Sequence, residues 1–143
     1  MPLIVVFDTN ILLSALLSPT SNPSKCLQLA RSGIIQSVTC QEIIDEFAEK
    51  LTVKFKYSPN ESQEIISQFL HYSKTIQITN TLNVVEKDAD DNKIIECAIV
   101  GLANYIITGD KKHLLPIGNY QGISIVNGTN FLQILMSNNQ KFN

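Results

Sequence analysis

Apolar residues arrive along this chain in two rhythms. Leu3-Ile4-Val5-Val6-Phe7 is an unbroken run that ends abruptly in Asp8-Thr9-Asn10. An uninterrupted run of this length predicts a strand covered on both faces, as in a parallel sheet. Residues 34–39, 75–78, 104–108 and 123–126 are four more short strand-like segments, each with polar residues among the apolar ones. Between them the apolar positions fall three and four apart, the helical spacing. That spacing predicts helices over residues 11–17, from Pro23 to near Gly33, from 40 to about 51, from 59 to about 72, up to about 102, and over 129–136, with a helical turn at 111–115. Thr39-Cys40-Gln41-Glu42 and Ser58-Pro59-Asn60-Glu61 each fit a capping box, and Pro23 and Pro59 suit a first helical turn. Asp88 or Asp90 is the expected cap of the helix that reaches residue 102. Strands alternating with helices predict an α/β fold on a parallel sheet. No repeat, linker or low-complexity stretch divides the chain, so one domain is expected over residues 1–136, with a polar tail at 137–143.

The bulk numbers narrow the class. With 143 residues, 44% hydrophobic and 17% charged, the chain can bury a real core as one ordinary soluble domain. A formal charge of −2 argues against holding nucleic acid by bulk electrostatics. It leaves open chemistry on nucleic acid at a metal-neutralised site. Cys26, Cys40 and Cys97 are widely spaced and form no C-x-x-C pair, which argues against a disulfide framework or a zinc ribbon. Buried thiols in a reducing compartment are expected instead. The first apolar run is short, lacks a basic flank and ends in an aspartate, so it is not expected to be a signal peptide. No stretch approaches the length of a membrane span. A cytoplasmic protein with no membrane partner is the expectation.

The chemistry must come from the thirteen carboxylates. Asp8 ends the first strand, and Gly109-Asp110 follows the strand over 104–108. Open α/β sheets build their sites at these carboxyl ends. In the helix from Asp91 onward, Ile94, Ile95, Ala98, Ile99 and Leu102 define the buried stripe. At about 100° per residue Asp91 lies near its middle, while Glu96 points at solvent. An unpaired charge at Asp91 would be costly, and a cation would remove the cost. In the helix after Thr39 the stripe is Ile43, Ile44, Phe47, Ala48 and Leu51. Glu42 and Glu49 lie on its far side. Asp45 and Glu46 lie at opposite margins, and spacing does not choose between them.

Asp8, Asp91, Asp110 and one of Asp45 or Glu46 can therefore converge. Packed carboxylates raise one another's pKa values, and a divalent cation holds them ionised. An all-oxygen set suits Mg²⁺ or Mn²⁺. Plainer roles exist for each acid: Asp8 as cap of the next helix, Asp110 as cap of the turn at Lys111, Asp91 as a dipole-favoured acid in a first turn. Three such roles at one rim of one sheet are less expected than one site. Thr9, Asn10 and Thr108 are placed to orient carboxylates or water, though turn chemistry also explains Asn10. His113, beside Lys111 and Lys112, could contact a phosphate, although a solvated charge run is the commoner case. His71 is expected to be structural or solvated. Lys50, Lys54 and Lys56 with Phe55 and Tyr57 form a small basic-aromatic patch that could contact nucleic acid, unless Phe55 belongs to the core.

Four segments resemble the PIN domain family: Val5-Val6-Phe7-Asp8-Thr9-Asn10, Ile44-Asp45-Glu46-Phe47, Asp88-Ala89-Asp90-Asp91-Asn92-Lys93-Ile94-Ile95-Glu96-Cys97-Ala98 and Tyr105-Ile106-Ile107-Thr108-Gly109-Asp110-Lys111-Lys112-His113-Leu114-Leu115. Their order and spacing match over nearly the whole chain. They are most similar to the subgroup that provides toxin components of bacterial type II toxin–antitoxin systems. The resemblance implies a PIN-like domain, with a mostly parallel sheet of about five strands in the order 3-2-1-4-5 flanked by helices. It implies a ribonuclease using Mg²⁺ or Mn²⁺ and the acidic quartet Asp8, Glu46, Asp91 and Asp110, and so favours Glu46 over Asp45. Asn10 and Thr108 match polar positions near the family's site. Asp8, Asp91 and Asp110 would hold the ions, and Glu46 would ligate or orient the attacking water. Cleavage would leave a 5′-phosphate and a 3′-hydroxyl. A homodimer and an antitoxin partner are implied too. The resemblance says little about residues 53–73. A haloacid-dehalogenase-like phosphatase would want a second aspartate where Asn10 stands, and a phosphorylation-receiver domain would want an acidic pair that is absent. The non-enzymatic rival is a degenerate PIN module that binds RNA or a protein without cutting.

Overall fold

The computed structural model describes residues 2–83 and 89–142, with the side chains of all of these but 89 and 139–142. The chain runs β1 (Leu3–Phe7), α1 (Thr9–Leu17), α2 (Asn22–Arg31), β2 (Ile35–Cys40), α3 (Gln41–Glu49), α4 (Pro59–His71), β3 (Ser73–Ile76), α5 (Ala89–Val100), β4 (Tyr105–Ile107), β5 (Asn119–Tyr120), β6 (Ile123–Val126) and α6 (Gly128–Phe142). A wide π-type turn, Lys50–Lys54, continues α3, and a 3-10 turn, Leu115–Ile117, precedes β5. The strands form one sheet in the order β3-β2-β1-β4-β6-β5. Every pairing is parallel except β5 with β6. This is the expected mostly parallel α/β sheet, in the expected order, with one strand added. Residues 123–126 are β6, and the two-residue β5 folds back on it at the edge.

The uninterrupted apolar run of β1 is explained by the two cores. Val5 and Phe7 of β1 face one side with Leu12, Cys26, Phe47, Leu51 and Phe131. Val6 faces the other with Val38, Ile94, Ile95, Ala98, Ile106 and Leu114. Strands buried on both faces have no polar side to show. β1 and β4 lie side by side at the centre, and the chain builds outward from them in both directions. That reversal of strand order opens a crevice at the carboxyl ends of the two strands.

Several local expectations are corrected by tertiary contacts. Thr39 is not a helix cap. β2 runs on through Cys40, because Thr39 and Cys40 pair with Thr75 and Ile76 of β3. Cys40 takes the cap position without a side-chain bond, and Glu42 accepts from Asn80 Nδ2 at 2.7 Å instead of reaching back. The same pairing starts β3 at Ser73 rather than 75. The Ser58 box does form, with Glu61 N donating to Ser58 Oγ and Ser58 N to Glu61 Oε1, both at 3.1 Å. Asp90 is inside the first turn of α5, paired with Lys93 at 3.3 Å, and is not its cap. Asp88 lies outside the described residues. α5 ends at Val100, so Leu102 leaves the stripe. It takes a left-handed turn at φ 57° and is 78% exposed. α6 continues to Phe142, past the expected 136, since no glycine or proline interrupts its polar end.

Glu96 is the largest correction. It does not face solvent but is buried under residues 79–82. Its Oε2 accepts from Thr79 N and Asn80 N, both at 2.7 Å, and its Oε1 from Thr81 N at 3.0 Å and Leu82 N at 2.9 Å. Burial raises its pKa, but the N–H groups of Leu82, Asn80, Thr79 and Thr81 outweigh that and hold it below the ordinary glutamate value. The three cysteines are free and buried, and burial pushes the Cys26 thiol up to about 11. Among the described residues no helix is long and apolar enough to cross a membrane.

Candidate metal centre

The β1–β4 ladder carries one residue beyond β1, and the β4–β6 ladder one residue beyond β4. Asp8 N donates to Ile107 O at 3.0 Å and Thr108 N to Val126 O at 2.9 Å. Asp8 and Thr108 thus stand side by side where the strands end. Asp8 caps α1, its Oδ1 accepting from Thr9 N at 2.7 Å. Its Oδ2 accepts from Thr108 Oγ1 at 2.7 Å and Asn10 Nδ2 at 3.2 Å. The side chain is buried, and that burial lifts its carboxyl above the ordinary aspartate value. The Thr108 and Thr9 bonds pull down, and Glu46 pushes up. The cap role and a site role therefore coexist in one residue.

Asp110 is anchored by its own turn. Its Oδ1 accepts from Lys112 N at 3.0 Å and His113 N at 3.1 Å, and its N–H donates to Thr108 Oγ1 at 3.0 Å. Burial raises its pKa, but the N–H groups of His113 and Lys112, the Asp91 carboxyl and the His113 ring together hold it below the ordinary value. Asp91 arrives from the buried face of α5, as its helical position predicts. His113 Nδ1 lies 3.2 Å from Asp91 Oδ2 and 3.8 Å from Asp110 Oδ2. Asp91, Asp110 and His113 each offer one donor atom within 4.8 Å of the others.

Glu46 sits at the next corner. Its Oε2 accepts from Thr9 Oγ1 at 3.1 Å, and its Oε1 pairs with Lys50 Nζ at 3.0 Å. Asp45 is exposed and accepts from Gln41 Nε2 at 2.8 Å. Asp91 and Asp110 are thus in direct contact, Asp8 joins them through Thr108, and Glu46 joins Asp8 through Thr9. Asn10 ties Asp8 to the β4 turn, its Oδ1 accepting from Gly109 N at 3.0 Å. Beside this network a cleft of ≈ 360 Å³ has a mixed lining that includes Asn10, Ile11, Ser14, Pro23, Thr108 and Thr129. Lys111 and Lys112 are exposed on the turn after β4, whereas the ring of His113 turns to the carboxylates. Phe55 and Tyr57 are half-buried against the core, Lys54 and Lys56 are exposed, and Lys50 is half-buried and paired with Glu46, so the basic-aromatic patch is only partly on the surface.

For two of these residues the structure sharpens or changes the expected role: Thr9 orients a carboxylate as expected, and His113 faces carboxylates instead of the expected phosphate. Thr9 is the link from Glu46 to Asp8, and His113 belongs to the carboxylate cluster. The three-residue spacing from Asp110 to His113 was the available signal, since a side-chain-capped turn brings such positions together. The donor set fits a divalent cation: two carboxyls and an imidazole converge, beside a buried carboxylate that its surroundings disfavour as an anion.

Comparison with known proteins agrees with this fold. A family model described as PIN domain matches residues 4–112. The uncharacterized protein MJ1680 of Methanocaldococcus jannaschii is 40% identical over 111 residues, covering 75% of this chain and 70% of the relative. The crystal structure of VapBC2 from Rickettsia felis, bound to a DNA fragment from their promoter, superposes with a TM-score of 0.63 at 16% identity. The match covers 87% of this chain and 98% of that one. The T. brucei RRP44 PIN domain superposes with a TM-score of 0.58 at 12% identity, over 99% of this chain and 86% of that one. At such identities the two structures speak for the fold alone. The matched family model spans β1 to the turn after β4, the segment that carries all four acids, and this chain belongs to the PIN domain family.

Proposed function

We propose that this protein is a metal-dependent endoribonuclease acting at the acidic crevice, and the toxin of a toxin–antitoxin pair. PIN domains are typically metal-dependent nucleases, and an acidic cluster at Asp91, Asp110 and His113 fits that chemistry. The observation that carries the reading is the convergence of acids from β1, α5 and the β4 turn on one rim, with Glu46 tied in through Thr9. Asp8, Asp91 and Asp110 would hold Mg²⁺ or Mn²⁺, with Glu46 ligating or orienting water at the edge. When bound there, the ion supplies Lewis acidity, acidifying water and neutralising charge on the phosphate and the leaving oxygen.

The chain's own residues do the rest. Thr108 holds Asp8 Oδ2 and the Asp110 backbone together, so two of the acids cannot drift apart. Thr9 aims Glu46 Oε2 toward Asp8, which suits it to take a proton from the water that attacks phosphorus in line. The leaving 3′ oxygen departs on the opposite side, giving a 5′-phosphate and a 3′-hydroxyl. Lys111 and Lys112 reach the flanking phosphates from an exposed turn. With a net charge of −2, RNA is held by these local contacts rather than by a basic surface.

Likeness to VapBC2 supports the toxin–antitoxin setting, with an antitoxin protein as partner; we further propose a homodimer acting in the cytoplasm. The test is Asp8→Asn with a mixed RNA substrate. Cleavage falls roughly 100-fold or more, at or beyond the upper end of what losing even an outer-shell partner of a metal ligand costs. An Asp8→Asn protein that cuts RNA normally would remove Asp8 from the mechanism. An Asp8→Asn protein and a parent that both bind RNA without cutting would leave the scaffold reading. The toxin role is checked separately, by whether the product of the adjacent gene suppresses cleavage.

A further inference from the structure

We infer that His113 is a nitrogen ligand of the bound cation, and that it makes this site prefer Mn²⁺ over Mg²⁺. The inference rests on the metal-dependent reading above and adds a donor of a different kind to its oxygen set. His113 Nδ1 lies 3.2 Å from Asp91 Oδ2 and 3.8 Å from Asp110 Oδ2, and the three donors lie within 4.8 Å of one another. Ligands at about 2.1 Å from one octahedral ion stand about 3 Å apart when adjacent. The triad is therefore already close to the spacing that a single first-row ion imposes.

The ring is held there by the backbone. Asp110 spends Oδ1 on the N–H groups of Lys112 and His113, which leaves Oδ2 on the side of the imidazole. Asp91 is fixed by the first turn of α5, on a different element. Two separately anchored carboxyls thus meet one imidazole whose side chain is 42% exposed, so an ion can enter from solvent. Mg²⁺ takes oxygen ligands and keeps its waters, and gains little from an imidazole. Mn²⁺ and the later first-row ions accept nitrogen readily, with affinity rising along that series. The donor set consequently selects by chemistry rather than by cavity size.

The experiment measures binding on the full chain. Spin-echo electron paramagnetic resonance with Mn²⁺ should show modulation from a directly bound ¹⁴N, and His113→Gln should abolish it. Glutamine keeps the backbone N–H that Asp110 needs. Titration calorimetry should show Mn²⁺ affinity falling about 10-fold or more in His113→Gln, with Mg²⁺ affinity changing far less. Mn²⁺ bound without nitrogen modulation would overturn the inference and leave the nuclease reading standing. So would a His113→Gln protein that binds Mn²⁺ as tightly or more tightly, because the ring would then be only a counter-cation for two carboxyls. No saturable binding of either ion at millimolar concentration would overturn both readings. Asp91→Asn, which should weaken both ions together, is the control for site identity.

Discussion

Asp8 and Glu96 are both buried acids, and their surroundings push them in opposite directions. Asp8 is disfavoured as an anion by burial, so its carboxyl is held above the ordinary value. Its contribution to stability is full below an unfolded pKa near 3.8 and is lost as pH rises through the folded value. At neutral pH without metal, Asp8→Asn should therefore melt at the same temperature or higher, even as it loses cleavage; differential scanning calorimetry decides this. Glu96 is held below its ordinary value by four backbone N–H groups. Its contribution is full above an unfolded pKa near 4.5 and is lost as pH falls through the folded value. Glu96→Gln should cost about 1.5–3 kcal/mol at pH 7. The gap from the parent should narrow as the pH falls toward the folded value, as read from urea midpoints. A gap that stays constant with pH would show that the charge is not what holds residues 79–82.

α5 carries Asp91, so its seat on the sheet sets the geometry of the crevice. Its C-terminal end is fixed by a close approach: a Cβ at Gly101 would lie 2.5 Å from Val38 Cγ1 and 2.9 Å from the Cys97 carbonyl. Neither atom is the end of a flexible side chain. Gly101→Ala should push α5 away from β2 and cost about 1–3 kcal/mol by overpacking. Because Asp91 lies at the other end of the same helix, Mn²⁺ affinity should fall as well. A Gly101→Ala protein with unchanged stability and metal affinity would show that the helix yields locally. The edge hairpin of β5 and β6 shows the reverse case. Two residues paired antiparallel carry no period to detect, and only the fold displays them.

For the molecule as a whole, the crevice trades stability for chemistry. Asp8, Asp91 and Asp110 come from far apart in the chain and are held at one rim, where like charges repel. An ion that binds only the folded state repays this. At 100 times its dissociation constant it adds about 2.7 kcal/mol. That corresponds to about 8 °C in Tm for a domain of this size. Mn²⁺ should raise Tm on this scale and EDTA should reverse it. The gain should be larger at pH 7.5 than at pH 5, where protons compete with the ion for Asp8. A melting temperature indifferent to metal at both pH values would argue that no cation completes the site.

Local patterns in the chain were enough to specify five of the six strands, the α/β class, the capping box at Ser58 and the inward-facing Asp91. Each of these depends on neighbours a few residues away, and periodicity records them. A family likeness was needed to prefer Glu46 to Asp45, since both lie at margins of the same stripe. What surrounds a residue from other elements decided the rest. Thr39, expected both to end a strand and to cap the next helix, lost the cap role to Cys40 because β3 pairs with both residues. Glu96 was buried by a segment fourteen or more residues upstream, which a helical wheel of α5 does not contain. His113 met Asp91 because the turn after β4 and the first turn of α5 close on the same crevice. One helix or strand determines which way its own side chains point, but only the packed sheet determines what they point at.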